Sequence, residues 1–300
     1  MAGDRGRGTD VILVTAARGR TGRSVVPALS GTGEPVRAFD IVPAATELAG
    51  DAGVEGVIGD MRDASQVRRA MDGVRVVVHI GPPLHPDESA MGHVVVSEAR
   101  RSGVEHFVQF SVTHPQLEPL LNHQAKLAVE RHLLLSRMPF TILQPMHYMQ
   151  NVDVEKAVSS GVLRQPYSVD ARLAHVDLDN VAMIAAQVVA KGEAHYYATY
   201  ELCGSDYCSA SELAEVITSV SGRTVTAEAV DQEGDPIVTL GSSEEDDYRA
   251  DALRRLFGHY GRYGITGNPN VLTWLLGQRP TTFSEYVRRC LANRGRTNDS

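Results

Sequence analysis

Cysteine is scarce in this 300-residue chain: Cys203, Cys208 and Cys290 are odd in number and too few for a disulfide framework. That excludes the small stapled secreted class and predicts reduced thiols in the cytoplasm. A chain this long buries enough surface to fold without disulfide or metal staples. Cys203 and Cys208 are spaced too loosely for a redox pair, and no histidine run beside them suggests zinc. Long hydrophobic runs are also lacking. Although 43% of the residues are hydrophobic, no uncharged apolar stretch approaches the roughly 20 residues of a membrane span. A basic excess is missing too: the net charge of −8 argues against a nucleic-acid binder. The opening MAGDRGRGTD has no apolar stretch of the secretory-signal kind. It is expected to be a frayed terminus, and the closing NRGRTNDS a polar tail. None of the eleven histidines forms an i,i+4 pair such as H-E-x-x-H, so no metal site is expected. Repeats and low-complexity tracts are absent.

What is present is alternation. VILVT (11–15), VRAFD (36–40), VEGVIGD (54–60), VRVVVHIG (74–81), EHFVQFS (105–111) and FTILQP (140–145) read as strands. Their continuous apolar character suits strands covered on both faces. Helical patterns at 20–30, 63–72, 88–102 and 120–137 lie between them, so the order predicts an α/β fold with a doubly wound parallel sheet. After Pro145 the rhythm breaks. HYMQNVDVEKAVSSG reads as a helix leaving the sheet, RLAHV and ATYELCG as strands, and DLDNVAMIAAQVVAKG as a helix capped by an Asp. SASELAEVITSVSG carries a Ser209 cap, Glu212 three residues on and Gly222 as a stop. Residues 231–247 read as an acidic loop, followed by helices near 248–257, 269–276 and 283–292. The division expected is 9–146, completed by 171–203, for the sheet domain. A smaller α/β domain is expected over 147–170 and 204–293.

The segment VTAARGRTGRSVV (14–26) carries the chemistry. A dinucleotide-binding turn needs glycines so that the backbone can approach a pyrophosphate, which then meets the N–H groups of the next helix. Gly19 and Gly22 supply the close-approach and helix-packing positions. Ala16 stands where the first glycine belongs, and fits if its φ stays negative. A glycine turn alone is a weak signal. Here it follows the first strand, opens a helix, and is followed eighteen residues after Gly22 by Asp40 at the tip of the second strand, which is the context the motif requires.

These residues resemble the NmrA-like branch of the atypical short-chain dehydrogenases/reductases, over nearly the whole chain. TAARGRTG matches the family's T-G-A-T-G-x-x-G loop, with Ala16 and Arg18 as departures. GDMRD (59–63) matches its G-D-x-x-D turn, and Lys126, Glu130, TILQP and MQN match K-x-x-x-E, T-I-L-x-P and M-x-N. The closing LLGQRPTTFSEYV is also typical. The resemblance implies a Rossmann domain that binds NAD(P) and a smaller C-terminal domain on the substrate side. It also implies cofactor contacts from Thr15, Gly19, Arg20, Thr21, Gly22, Asp40, Asp60, Met61, Ile80, Gly81, Pro82, Lys126 and Pro145.

Asp40 as an acceptor for the adenosine ribose favours NAD(H) over NADP(H), because a carboxylate repels a 2′-phosphate. Arg18 and Arg20 pull the other way, and a strand-end residue capping the next turn is the plainer role. Asp63 reads as a helix cap beside Asp60 and Met61. Lys126 is expected to hold the nicotinamide ribose and to take part in proton donation; the competing role is a surface i,i+4 pair with Glu130. Ordinary short-chain dehydrogenases place a Tyr four residues before this Lys, where this chain has Asn122. His123 and Tyr148 are the stand-in proton donors, and Ser111 at the end of strand five is a substrate-binding position. His79, His114 and His147 also fall near strand ends, where ligands of open α/β sheets collect. Three functions follow in order. First is an NAD(P)H-dependent reductase of a small carbonyl, quinone or imine. Second is an NAD(P)-sensing regulator without turnover, as the family's namesake is. Third is a non-redox enzyme with a histidine-rich cleft. The sequence leaves open whether the chain forms a homodimer.

Overall fold

The structure, a computed structural model, describes residues 10–43, 53–231 and 243–297. The start expected to be frayed and most of the segment expected to be an acidic loop fall outside these ranges. The described residues within 1–118, 122–144 and 181–200 form one compact unit, and those within 119–121, 145–180 and 201–300 form a second.

The first unit is built on a seven-stranded sheet. Its strands are β1 (Val11–Thr15), β2 (Val36–Asp40), β3 (Val54–Ile58), β4 (Val74–Ile80), β5 (His106–Phe110), β6 (Phe140–Pro145) and β10 (Ala198–Leu202). The order is β10-β6-β5-β4-β1-β2-β3, and the ladders from β3 through to β6 are parallel. Connecting helices are α1 (Arg20–Ser30), α2 (Ala64–Ala70), α3 (Glu88–Arg101) and α4 (Leu121–Ser136). Every residue of β5 and β6 is buried, which is why those runs carry no polar alternation. Leu13, Val77, Val95, Phe107, Val129 and Ile142 belong to one core cluster. Strand order reverses direction between β1 and β4, the place where doubly wound sheets open a crevice.

The second unit holds β7 (His147–Tyr148), α5 (Val154–Ser160), β8 (Val162–Gln165), β9 (Arg172–Val176), β11 (Tyr207–Ser209), α7 (Ala210–Ser221) and β12 (Thr226–Ala229). α6 (Leu178–Lys191) precedes β10, and α8 (Glu244–Tyr263), α9 (Asn270–Leu276) and α10 (Phe283–Thr297) close the chain. Ser209 accepts from the Glu212 N–H and Glu212 accepts in return from the Ser209 N–H, a full capping box. Gly222 ends α7 at φ +69°, a conformation that glycine adopts without side-chain strain.

Three expectations change. β9 pairs with β11 and β7 rather than joining the seven-stranded sheet. The helix expected near 248 starts at Glu244, because Ser243 caps it and four acids in its first turn suit the positive end of the helix dipole. α10 runs on to Thr297 through residues read as a polar tail. Unforeseen too was the parallel pair of β8 with β12, since TAEA is too polar and exposed to register as a strand.

Candidate functional site

The turn from β1 into α1 sits at the sheet's reversal point. Gly19 is the N-cap of α1, with no side-chain cap and no acid in the first turn. Such an end leaves N–H groups and positive dipole available to an anion. A Cβ on Gly22 would lie 2.5 Å from the Ala17 carbonyl oxygen and 2.6 Å from that of Ala16, so only glycine lets the helix pack this closely. A Cβ at Gly19 would approach the Ala16 oxygen at 3.2 Å. Ala16 corrects the expectation of negative φ: it stands at +47°, where a non-glycine residue pays about 1–2 kcal/mol. The turn keeps its shape although the glycine is missing. Asp40 Oδ2 accepts from the Arg18 N–H at 2.8 Å and Oδ1 from the Val42 N–H at 3.3 Å, so the carboxylate braces the loop from the tip of β2. Arg20 is exposed at the start of α1, and Thr21 is half-buried.

Thr15 ties β1 to β4. Its hydroxyl accepts from the Ile80 N–H at 2.9 Å, donates to the Ile80 carbonyl at 3.0 Å and lies 2.8 Å from His79 Nδ1. Satisfying all three contacts requires the Nδ1–H tautomer of His79. Burial, then the nearby Lys126 charge, holds the His79 pKa down to about 3. The ring is neutral.

Beyond β4, Gly81 makes room for an ion pair. Lys126 Nζ lies 2.7 Å from Glu88 Oε1, with side chains 12% and 2% exposed. A Cβ at Gly81 would come within 3.3 Å of both atoms. Burial raises the Glu88 pKa, and the Lys126 ammonium opposes that rise. The i,i+4 pairing of Lys126 with Glu130 is therefore absent: Glu130 instead accepts from Gln144 Nε2 at 2.9 Å. Ile80 pairs with Phe110 across β4 and β5, so Gly81 and Ser111 leave the sheet side by side.

Ser111 is 6% exposed and its N–H donates to the Leu143 carbonyl at 2.7 Å. Its Oγ, like Oδ1 of Asn122 one helical turn before Lys126, is buried with no hydrogen-bond partner among the described residues. These orphaned polar atoms at this edge fit a ligand that brings hydroxyl or amide groups, as a dinucleotide does. His123 is fully buried, its Nδ1 2.8 Å from the His114 carbonyl. Asp60 accepts from the Arg62 backbone and guanidinium, which lower its pKa. Asp63 caps α2 through the Ser65 and Gln66 N–H groups, and Met61 packs against the core. Pro82 is half-buried after Gly81, and Pro145 ends β6 in the interior. Tyr148 belongs to the second unit, half-buried on β7. Among the described residues no group of three His, Cys, Asp or Glu is placed to hold a metal ion, and no helix is long and apolar enough to cross a membrane.

Sequence reasoning missed Glu88. Its signal was faint, since an acid in a helix's first turn is explained by the dipole alone, and only the fold brings it to Lys126.

Comparison with known proteins bears on the family and the fold. The chain is 24% identical over 283 residues to an NAD(P)H azoreductase of Xenophilus azovorans, covering 93% of this chain and 97% of that protein. It superposes on an NADPH-dependent quinone oxidoreductase of Escherichia coli complexed with NADPH at a TM-score of 0.79, with 23% identity over 93% of this chain and 99% of the other. The negative transcriptional regulator NmrA in complex with NAD gives a TM-score of 0.76, with 17% identity over 98% and 99% of the two chains. The sequence model of the NmrA-like family matches residues 8–287. The chain belongs to the NmrA-like family.

Proposed function

We propose that this protein is a cytoplasmic NAD(P)H-dependent reductase of a small organic acceptor, a carbonyl, quinone or imine. The observation that carries the reading is the buried Lys126 ammonium, held beside Gly81 at the carboxyl edge of the sheet. Two redox relatives, one an azoreductase matched along 93% of the chain and one a quinone oxidoreductase of like fold, support it. The three cysteines are free, in keeping with a reducing compartment.

When bound, the nicotinamide supplies the hydride. The protein's share is binding, orientation and charge. The first turn of α1 with Gly19, Arg20, Thr21 and Gly22 holds the pyrophosphate, the GDMRD turn with Asp60 and Met61 meets the adenine, and Ile80, Gly81 and Pro82 border the ribose. Lys126 holds the nicotinamide ribose, and its charge favours negative charge developing on the acceptor oxygen or nitrogen. Ser111 Oγ donates to the acceptor. Of the stand-in proton donors, His123 is disfavoured because its buried ring is already bonded to the His114 carbonyl; Tyr148 remains the other candidate. We infer a preference for NAD(H), from the carboxylate of Asp40 at the tip of β2. A 2′-phosphate there meets a like charge.

One observation favours the second reading, a nucleotide-sensing regulator: Asn122 offers no titratable proton where short-chain dehydrogenases carry Tyr. Histidine-based non-redox catalysis has less support, since His79 is neutral and bound to Thr15. Following nicotinamide absorbance with NADH and NADPH against carbonyls, quinones and imines tests all three. The reductase reading expects oxidation of NADH in preference to NADPH, with Asp40→Ala narrowing that preference. Tight binding with no oxidation by any acceptor would hand the case to the regulator. A wild type that prefers NADPH would move the determinant to Arg18 or Arg20.

A further inference from the structure

The chain contains three lysines, Lys126, Lys156 and Lys191. Lys156 and Lys191 are exposed, and Lys126 alone is drawn into the interior, opposite a carboxylate more deeply buried than itself. A buried ion pair is a poor stabilising device, because desolvating two charges offsets most of their attraction. An apolar pair would serve the core better. Glu88 also sits in the first turn of α3, where the helix dipole favours a negative charge. The anion is thus supported from two sides.

We propose that Glu88 is a positioning residue: its carboxylate holds the Lys126 ammonium against Gly81, so that Lys126 meets its ligand as a fixed, charged donor. This rests on the reductase reading for the identity of the ligand, but not for the pairing itself. An ammonium has three N–H donors. The ion pair with Glu88 at 2.7 Å fixes the place of the ammonium, and its donors serve groups arriving at the edge where, among the described residues, Ser111 Oγ and Asn122 Oδ1 have no hydrogen-bond partner. A four-carbon stem ordered in advance spares the loss of rotamer freedom that binding otherwise exacts. The charged and titratable groups around the pair come from each packed element. They are His79 from β4, kept neutral, His85 from the loop before α3, whose charge favours the Glu88 anion, and Lys126 from α4. Removing the Glu88 carboxylate takes away the partner 2.7 Å from Nζ, so the Lys126 head is no longer held in one place and meets reagent more often.

The experiment is competitive acylation of the full-length protein with acetic anhydride at fixed pH, read by peptide mass with Lys156 and Lys191 as internal references. In Glu88→Gln, an isosteric change that preserves access, Lys126 is expected to be acylated at least tenfold faster relative to the two references. Glu88→Asp keeps the charge one methylene short and is expected to fall between wild type and Glu88→Gln; it carries the test if the Gln variant does not fold. NADH affinity of Glu88→Gln is expected to fall at least tenfold below that of wild type, with Glu88→Asp restoring part of it. An unchanged acylation ratio in a folded variant overturns the proposal, and so does an unchanged NADH affinity. A wild type that binds neither NADH nor NADPH counts against the reductase reading alone, because the acylation ratio still decides the role of Glu88.

Discussion

The two edges of the seven-stranded sheet bury histidine in the same way and treat charge in opposite ways. At the carboxyl edge, Thr15 at the end of β1 holds His79. At the amino edge, Thr141 in β6 lies 2.9 Å from His106 Nε2 and donates to the His195 carbonyl at 2.6 Å. Both rings are driven neutral, His79 to about 3 and His106 to about 4, mainly by burial. Among the described residues only the carboxyl edge adds a Lys–Glu pair of this depth, and Lys126 is the second cause of the lower His79 value. One Thr–His pair is frame, and the other is frame beside the proposed site. The difference teaches that buried polarity alone does not mark function; the proposal for the carboxyl edge rests on the ion pair and the glycine beside it.

The comparison breaks most sharply if the charged pair is dismantled one member at a time. Lys126→Met strands the Glu88 carboxylate in the interior and is expected to cost about 3–5 kcal/mol in urea unfolding, with most of it recovered in Glu88→Gln/Lys126→Met. Equal stability of single and double variants would mean that the pair is not desolvated.

Acid sharpens the contrast from the other edge. His79, His106 and His175 have pKa values lowered to about 3, 4 and 4. Above pH ~6.5 the folded and unfolded states are both neutral at these sites and nothing is gained or lost. Below that, the unfolded chain binds protons that the folded chain refuses, so stability falls with pH, the loss completing near 4 for His106 and His175 and near 3 for His79. His106→Gln is expected to remove up to about 3 kcal/mol of that acid-side loss. The check is the urea midpoint measured from pH 7 to 4, and an unaltered slope in His106→Gln would reject a neutral, proton-refusing ring.

Much of the sheet was legible because its strands are buried on both faces: VRVVVHIG and FTILQP carry the signal of a parallel core in their composition. β8 and β12 were not, since VLRQ and TAEA pair only with each other and stay partly exposed. Gly19, Gly22 and Asp40 could be read from spacing alone, because a turn between strand and helix is local. The conformation of Ala16 could not, since the surrounding backbone imposes its positive φ. Lys126 was legible through its motif, but its partner was not. Glu88 stands 38 positions earlier, and spacing along one helix pointed to Glu130 instead. Contacts made across elements are what a sequence pattern omits.

The central claim is that the charge at the carboxyl edge serves hydride transfer. The most direct test is single-turnover oxidation of bound NADH by a quinone, comparing wild type with Glu88→Gln/Lys126→Met, in which neither buried charge remains to unsettle the fold. The account predicts modestly weaker NADH binding and turnover at least about tenfold slower, the factor that ~1.4 kcal/mol of lost transition-state stabilisation produces. Full turnover in the folded double variant would contradict it.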